Sequence, residues 1–295
     1  MLTLQERRLA QFVDRDNELA RFGEMLKPDC KPIMLVWGDS GIGKSSLLAR
    51  MIHECALRKI RKAEVTWTDT RNHDYLGIMR KIRDDVGADS FTAFTDLINF
   101  FTVPRYELQV SYTGPEINVA QGMQVVGGQV GNIAGIVVKD VMLNAPRLDM
   151  AVPEAERMAR LTDRFLSNLA EATHDGLLVV FLDAIEKMSP YTEKWICGEL
   201  VKSISEGQLR NVRLVACGQR KPDVPEYRTL IEEAQLQPLG LPHIVEYLAK
   251  LGVSEEHREI AAGILLDATK GKLSDMAILA EGILMRQKTQ GSASG

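Results

Sequence analysis

The sequence predicts an α/β fold, a five-stranded and mainly parallel sheet with helices on both faces, followed by a small helical lid. Three observations predict it. The apolar run Ile33-Met34-Leu35-Val36-Trp37 feeds a glycine-rich turn and then a segment with helical apolar spacing. The run Leu177-Leu178-Val179-Val180-Phe181-Leu182-Asp183 is apolar until its last residue, as a strand covered on both faces is in a parallel sheet. Beyond Leu239 the chain reads as helices separated by short glycine-bearing breaks. With 295 residues, 45% of them hydrophobic, the chain can bury a core large enough for such a sheet.

Taken in order, residues 1–27 read as a helix, a break and a second helix, with Asp14 or Asp16 placed to cap the second. Strand 33–37 follows. Gly38-Asp39-Ser40-Gly41-Ile42-Gly43-Lys44-Ser45 then completes the pattern G-x-x-x-x-G-K-[ST]. From Ser46 to Ile60, Leu47, Leu48, Met51, Ile52, Cys55, Ala56 and Ile60 share one helical face. The basic run Arg58-Lys59-Ile60-Arg61-Lys62 falls at the end of that helix, where cations complement the dipole, and is read as a helix terminus in preference to a nucleic-acid patch. Glu64-Val65-Thr66-Trp67-Thr68 has strand composition. Tyr75 to Phe101 is mostly helical, with one stripe of Leu76, Met79, Ile82 and Val86 and another of Phe91, Phe94, Leu97, Ile98 and Phe101, both read as packing faces.

The composition changes between Pro104 and Pro153, whose core, Ile117 to Val138, is Gly- and Val-rich with glycines at 122, 127, 128, 131 and 135. This segment is expected to project from the core, either as a disordered or self-contained hairpin or as a surface that pairs with a partner strand. Glu154 to Thr173 returns to helix, and Asn211–Cys217 and Gln235–Leu239 supply the fourth and fifth strands. Leu241–Lys250, Ser254–Thr269 and Leu273–Gln287 are the closing helices. The expected organisation is an N-terminal helical segment (1–30), a core (31–240) with an insertion at about 104–153, a helical lid (241–290) and a flexible tail (291–295).

A strand feeding a glycine-permitted turn aims backbone N–H groups at a phosphate chain, and the next helix adds the positive end of its dipole. Gly38, Asp39, Ser40, Gly41, Ile42, Gly43, Lys44, Ser45 and Ser46 are therefore the candidate nucleotide-binding residues. Lys44 is expected at the β/γ-phosphates and Ser45 on Mg²⁺. Asp183 emerges at the C-terminal end of its strand, the edge where open α/β sheets bind ligands, and is the second candidate Mg²⁺ ligand; its alternative role is a helix N-cap. The net charge of −4 supplies no general attraction for nucleic acid. Cysteines 30, 55, 197 and 217 lack metal-ligand spacing and read as reduced thiols, and neither a signal segment nor a membrane span is seen, so a cytoplasmic location is expected.

About twenty residues before the phosphate loop, Phe12-Val13-Asp14-Arg15-Asp16-Asn17-Glu18-Leu19 resembles the F-x-G-R-x-x-E-L segment of STAND-type and related AAA+ ATPases, with Asp14 at the Gly position. Leu182-Asp183-Ala184-Ile185-Glu186-Lys187 resembles their L-D-A-L-D-E pattern, Arg220 matches the Arg of their h-h-h-T-S-R sensor, and Gln237-Pro238-Leu239 is similar to their proline-containing turn. Ala268-Thr269-Lys270-Gly271-Lys272-Leu273 looks like the lid's G-x-P segment with Leu273 in place of proline. The resemblance, to NACHT-like signalling modules in particular, implies that Val13, Arg15 and Pro238 lie near adenine, that Glu186 handles the attacking water, and that Arg220 meets the terminal phosphate. It further implies ATP and ADP as ligands with Mg²⁺, and slow hydrolysis. The implied role is a nucleotide-controlled switch in prokaryotic signalling or antiviral defence, homo-oligomeric in its ATP state, with sensor or effector domains outside these residues. Neither a membrane nor nucleic acid is an expected partner. Two competing readings remain, an AAA+ ATPase acting with nucleic acid and a non-hydrolysing ADP/ATP-binding scaffold.

Overall fold

The computed structural model describes residues 9–68, 74–102, 152–222 and 224–280, together with Glu6 and Gly282. Helix α1 (Asp16–Met25) precedes strand β1 (Ile33–Trp37), helix α2 (Lys44–Leu57) and strand β2 (Arg61–Thr66). Helices α3 (Tyr75–Val86), α4 (Thr92–Thr102) and α5 (Glu154–Ala172) lead to β3 (Leu178–Asp183). Then come α6 (Pro190–Trp195), α7 (Val201–Ser205), β4 (Val212–Gly218), β5 (Ile231–Gln235), α8 (Leu241–Lys250) and α9 (Glu255–Thr269). Residues 273–280 are also helical. The strand order is β2-β3-β4-β1-β5 and all four pairings are parallel.

Alternation along the strands sorts the core into two layers, because successive side chains leave a strand on opposite faces. Ile33, Leu35, Val65, Val180, Leu182, Leu214 and Ala216 face α3 to α7. Met34, Val36, Val179, Phe181, Val215 and Cys217 face Phe22 and Met25 of α1 and Leu47, Leu48, Met51, Ile52 and Cys55 of α2. On the first face Phe165 is the hub, its ring centroid 5.7 Å from Phe91, 5.3 Å from Phe94 and 6.2 Å from Trp195. Each such fully buried ring stabilises the fold by about 1.5–3 kcal/mol. Trp195 Nε1 donates to Thr162 Oγ1 at 3.0 Å, so burial leaves its polar atom satisfied. A third cluster lies apart, in which Val13 and Leu239 join Ile244, Tyr247, Leu248, Val253, Ala262, Leu265, Met276 and Ala280.

Both sheet edges are partly closed by side chains. On β2 the Glu64 N–H donates to Asp85 Oδ2 of α3 at 2.8 Å, and on β5 the Glu233 carbonyl accepts from Arg21 of α1 at 3.0 Å.

Several boundaries differ from the sequence reading. Helix α2 stops at Leu57 and Lys59 takes a left-handed φ of 56°, so Arg61 and Lys62 open β2 and are not part of the helix end. An edge strand tolerates such charges because one side faces solvent. The fifth strand lies at 231–235, upstream of the predicted 235–239: its sequence IEEAQ buries only Ile231 and Ala234, whereas apolar Leu236 and Leu239 are buried in the loop beyond it. Neither Asp14 nor Asp16 caps α1. Its N-cap is Arg15, with φ 77° and no side-chain capping bond. Helices α6 and α7, with the π turn Ile196–Leu200 between them, were absent from the sequence reading. The insertion expected at 104–153 falls outside the described residues except for residues 152 and 153, and Pro153 is the N-cap of α5; the 291–295 tail is also outside them.

Candidate nucleotide site

Strand β4 lies between β1 and β3. At about 4.8 Å per strand, the ends of β1 and β3 are therefore roughly 10 Å apart. The turn at the end of β1 closes that distance by leading α2 across β4. Ser45 Oγ in its first turn donates to Asp183 Oδ2 at the end of β3, at 3.0 Å. Asp183 Oδ1 accepts the Ala184 N–H at 2.9 Å, and Ala184 holds a left-handed φ of 61°. The carboxylate thus bonds the neighbouring amide of its own turn and does not cap a helix.

Gly43 is the N-cap of α2 at φ 104°, a value that disfavours a side chain. The Ser46 and Leu47 N–H groups both donate to Gly43 O, at 3.1 and 3.0 Å, and begin the helical ladder. The N–H groups before them are the helix's orphan donors, which an anion can satisfy. Lys44 Nζ donates to Gly38 O at 2.8 Å and Asp39 O at 2.7 Å, folding over the loop that it follows. Burial pushes its ammonium below the ordinary value, opposed by the carboxylates of Glu186, Asp183 and Asp39. Lys44 therefore lies in the field of both acids that the sequence selected.

Glu186 is fixed from the end of β4. Gln219 donates to it twice, backbone N–H to Oε2 at 3.1 Å and Nε2 to Oε1 at 3.4 Å. Gly218 makes the approach possible: a Cβ there would lie 2.5 Å from Ile185 Cγ1 and 3.2 Å from Glu186 Oε2. Neither Gln219 nor the need for Gly218 was read from the sequence. Their position directly before Arg220 at a strand end was the available signal.

Arg15 is buried, at 6% exposure. Its Nη2 donates to Ile42 O at 3.3 Å and to Gln237 O at 2.7 Å, and its Nη1 pairs with Asp14 Oδ2 at 3.1 Å. It thus joins the phosphate loop to the turn that carries Pro238. Asp14 has φ 62°, so an acid takes the left-handed geometry for which glycine is usual, and Asp is among the residues that tolerate it. Val13 is buried in the cluster formed by α8, α9 and residues 273–280. Pro238 is exposed and lies beside Gly271, whose Cβ would be 3.1 Å from Pro238 Cβ. Arg220 is not brought together with the rest: its side chain is 70% exposed and 3.7 Å from Glu193 Oε2.

A hydroxyl and a carboxylate already in contact form a hard-oxygen pair suited to Mg²⁺, which takes one or two protein oxygens and completes its shell with phosphates and water. Among the described residues no cluster of three or more His, Cys, Asp or Glu forms a self-sufficient metal cage. The donor set fits a metal that arrives with a phosphate ligand. Among those residues, too, no helix is long and apolar enough to cross a membrane.

The sequence matches the family model of the AAA ATPase domain over residues 11–212. No curated protein matches the chain. The solved structure of Cdc6p from Pyrobaculum aerophilum is similar at a TM-score of 0.51 and 16% identity, over 98% of this chain and 64% of that one. A STAND protein with a tetratricopeptide repeat sensor from Pyrococcus horikoshii gives 0.47 and 13%, over 89% of this chain and 28% of that one. Domain III of the replication initiation protein DnaA from Thermotoga maritima gives 0.46 and 14%, over 95% and 88%. This chain therefore spans 64% and 28% of the length of the first two.

Proposed function

This chain belongs to the AAA ATPase domain family, and from that premise we propose that it binds Mg²⁺·ATP, hydrolyses it slowly and uses the γ-phosphate to set the position of its helical lid. The observation that carries the reading is the convergence of Ser45 and Asp183 at 3.0 Å, with Glu186 anchored on Gln219 and coupled electrostatically to Lys44. Lys44 and the loop N–H groups hold the phosphates, Ser45 and Asp183 hold the metal, and Glu186 accepts the proton of the attacking water. A metal held by Ser45 and Asp183 would supply neutralisation of the phosphates' negative charge. Arg220, turned to Glu193, adds no cation to this group, which supports slow turnover. Residues 241–290 form the lid and 1–30 the segment beside the adenine. The sequence resemblance from about Phe12 to Leu284, interrupted by the insertion, supports a STAND-type signalling switch in the cytoplasm, assembling with further copies when ATP is bound and passing its state to sensor or effector parts.

Lys44→Ala is expected to abolish binding of a fluorescent ATP analogue, because it removes the loop's own cation. Undiminished affinity in a folded variant refutes the site. Phosphate release by the parent protein is expected to be slow and unchanged by added DNA. Stimulation by DNA identifies a nucleic-acid ATPase instead, and complete silence a scaffold.

A further inference from the structure

Two carbonyls of the phosphate loop are held by groups from elsewhere in the chain. The Ser274 N–H donates to Gly41 O at 3.0 Å, and Arg15 Nη2 donates to Ile42 O at 3.3 Å. The lid touches the loop closely at this point. A Cβ on Gly41, where φ is 78°, would lie 2.1 Å from Ser274 Oγ, and one on Gly43 would lie 3.2 Å from Leu273 Cδ2. Ser274 is the second residue of the helical stretch 273–280, which Met276 and Ala280 fasten into the lid core. Just before it, Gly271 O accepts the Leu239 N–H at 2.9 Å, so the same short segment is also pinned to the loop between β5 and α8.

A trans peptide unit is planar, and its C=O and N–H point in opposite directions. Fixing Gly41 O on Ser274 therefore turns the Ile42 N–H away from the lid contact. Fixing Ile42 O on Arg15 turns the Gly43 N–H away from Arg15 in the same manner. The Gly43 N–H is the first of the orphan donors at the start of α2 and the Ile42 N–H precedes it in the same loop, and both are among the loop N–H groups that receive phosphate in the site proposed above.

We infer that the lid is a working part of the phosphate site: the Ser274 backbone N–H, together with Arg15, holds the loop's anion-binding N–H groups in their binding direction, so that lid docking raises affinity for the phosphate chain of a nucleoside di- or triphosphate. Ser274 is a positioning residue, acting through the Gly41–Ile42 peptide. Because coupling between two equilibria is reciprocal, phosphate binding tightens the lid's hold on the loop by the same factor. The inference rests on the nucleotide reading above and adds that adenine is not needed for the coupling.

The test uses the full chain and inorganic pyrophosphate, titrated calorimetrically. Ser274→Pro removes the donor at a helix position whose N–H is outside the helical ladder and where proline is accommodated. It is expected to weaken pyrophosphate binding about fivefold, the factor that one net hydrogen bond provides. Rescue is expected in the conservative Ser274→Ala, which keeps the N–H. Equal affinity in Ser274→Pro and the parent overturns the inference, as does an equal loss in both variants. A parent that binds neither pyrophosphate nor ATP defeats the nucleotide reading itself. A second measurement needs no substitution: hydrogen exchange at the Ser274 amide is expected to slow about fivefold with saturating pyrophosphate, by the same hydrogen-bond factor. Exchange unaffected by pyrophosphate, in a parent that binds it, overturns the coupling even if Ser274→Pro does not fold.

Discussion

Glu186 accepts two hydrogen bonds from Gln219 while its charge acts on Lys44 across the site. A carboxylate held this way has a defined direction before any water arrives, and direction matters for a general base. Glu186→Gln keeps the shape and, through its one amide oxygen, one of the two Gln219 bonds, but removes the base. ATP binding is expected to persist while hydrolysis falls by on the order of a hundredfold or more. Single-turnover phosphate release beside equilibrium binding checks this, and parental turnover in the variant leaves Glu186 without a role in proton transfer. At this scale the sequence is uneven in what it reveals. Gly38 to Ser45 stands out in the sequence because the motif is contiguous and restricts the residue type at each of its fixed positions. Ser274 was not, because its contribution is a backbone N–H, which carries no side-chain signature. Arg15 was legible as a residue near the site, but its partners Ile42 O and Gln237 O are main-chain atoms that only the fold brings together.

At the scale of elements, the end of β4 and the turn after β3 act as one unit through Gly218. Gly218→Ala places a Cβ 2.5 Å from Ile185 Cγ1, closer than packed atoms approach, so the turn carrying Glu186 has to shift. Overpacking of this kind costs about 1–3 kcal/mol. The variant is expected to unfold at lower temperature and to lose more hydrolysis than ATP affinity, measured by thermal denaturation and by the same two assays. Equal loss of both activities places the disturbance elsewhere than at Glu186. Strands β1 and β3 were legible almost to the residue because most positions in them are buried. Strand β5 was misplaced because an edge strand with Glu232 and Glu233 lacks that continuous apolar signal. Helices α6 and α7 escaped because the π turn at 196–200 breaks the 3.6-residue phase of Trp195, Ile196, Leu200, Val201 and Ile204.

For the molecule as a whole, two core layers clamp the sheet and a third cluster packs the helices after Leu239. Loss of packing in the third is expected to stay local. Leu248 is fully buried there, and Leu248→Ala costs about 2–5 kcal/mol. Hydrogen exchange is expected to rise across residues 241–280 while the amides of β3 and β4 keep their protection. Equal loss in both regions shows one cooperative unit in which the lid has no independent motion. The change to helices after Leu239 is visible in the sequence, but not that Val13, far upstream, packs into the cluster those helices form.

The bonds from Asp85 to the Glu64 N–H and from Arg21 to the Glu233 carbonyl have a colloidal consequence. A neighbouring molecule that tried to extend the sheet at either place would have to exchange an existing bond for a new one, with little net free energy to drive it. Templated, fibre-like growth is disfavoured at both rims.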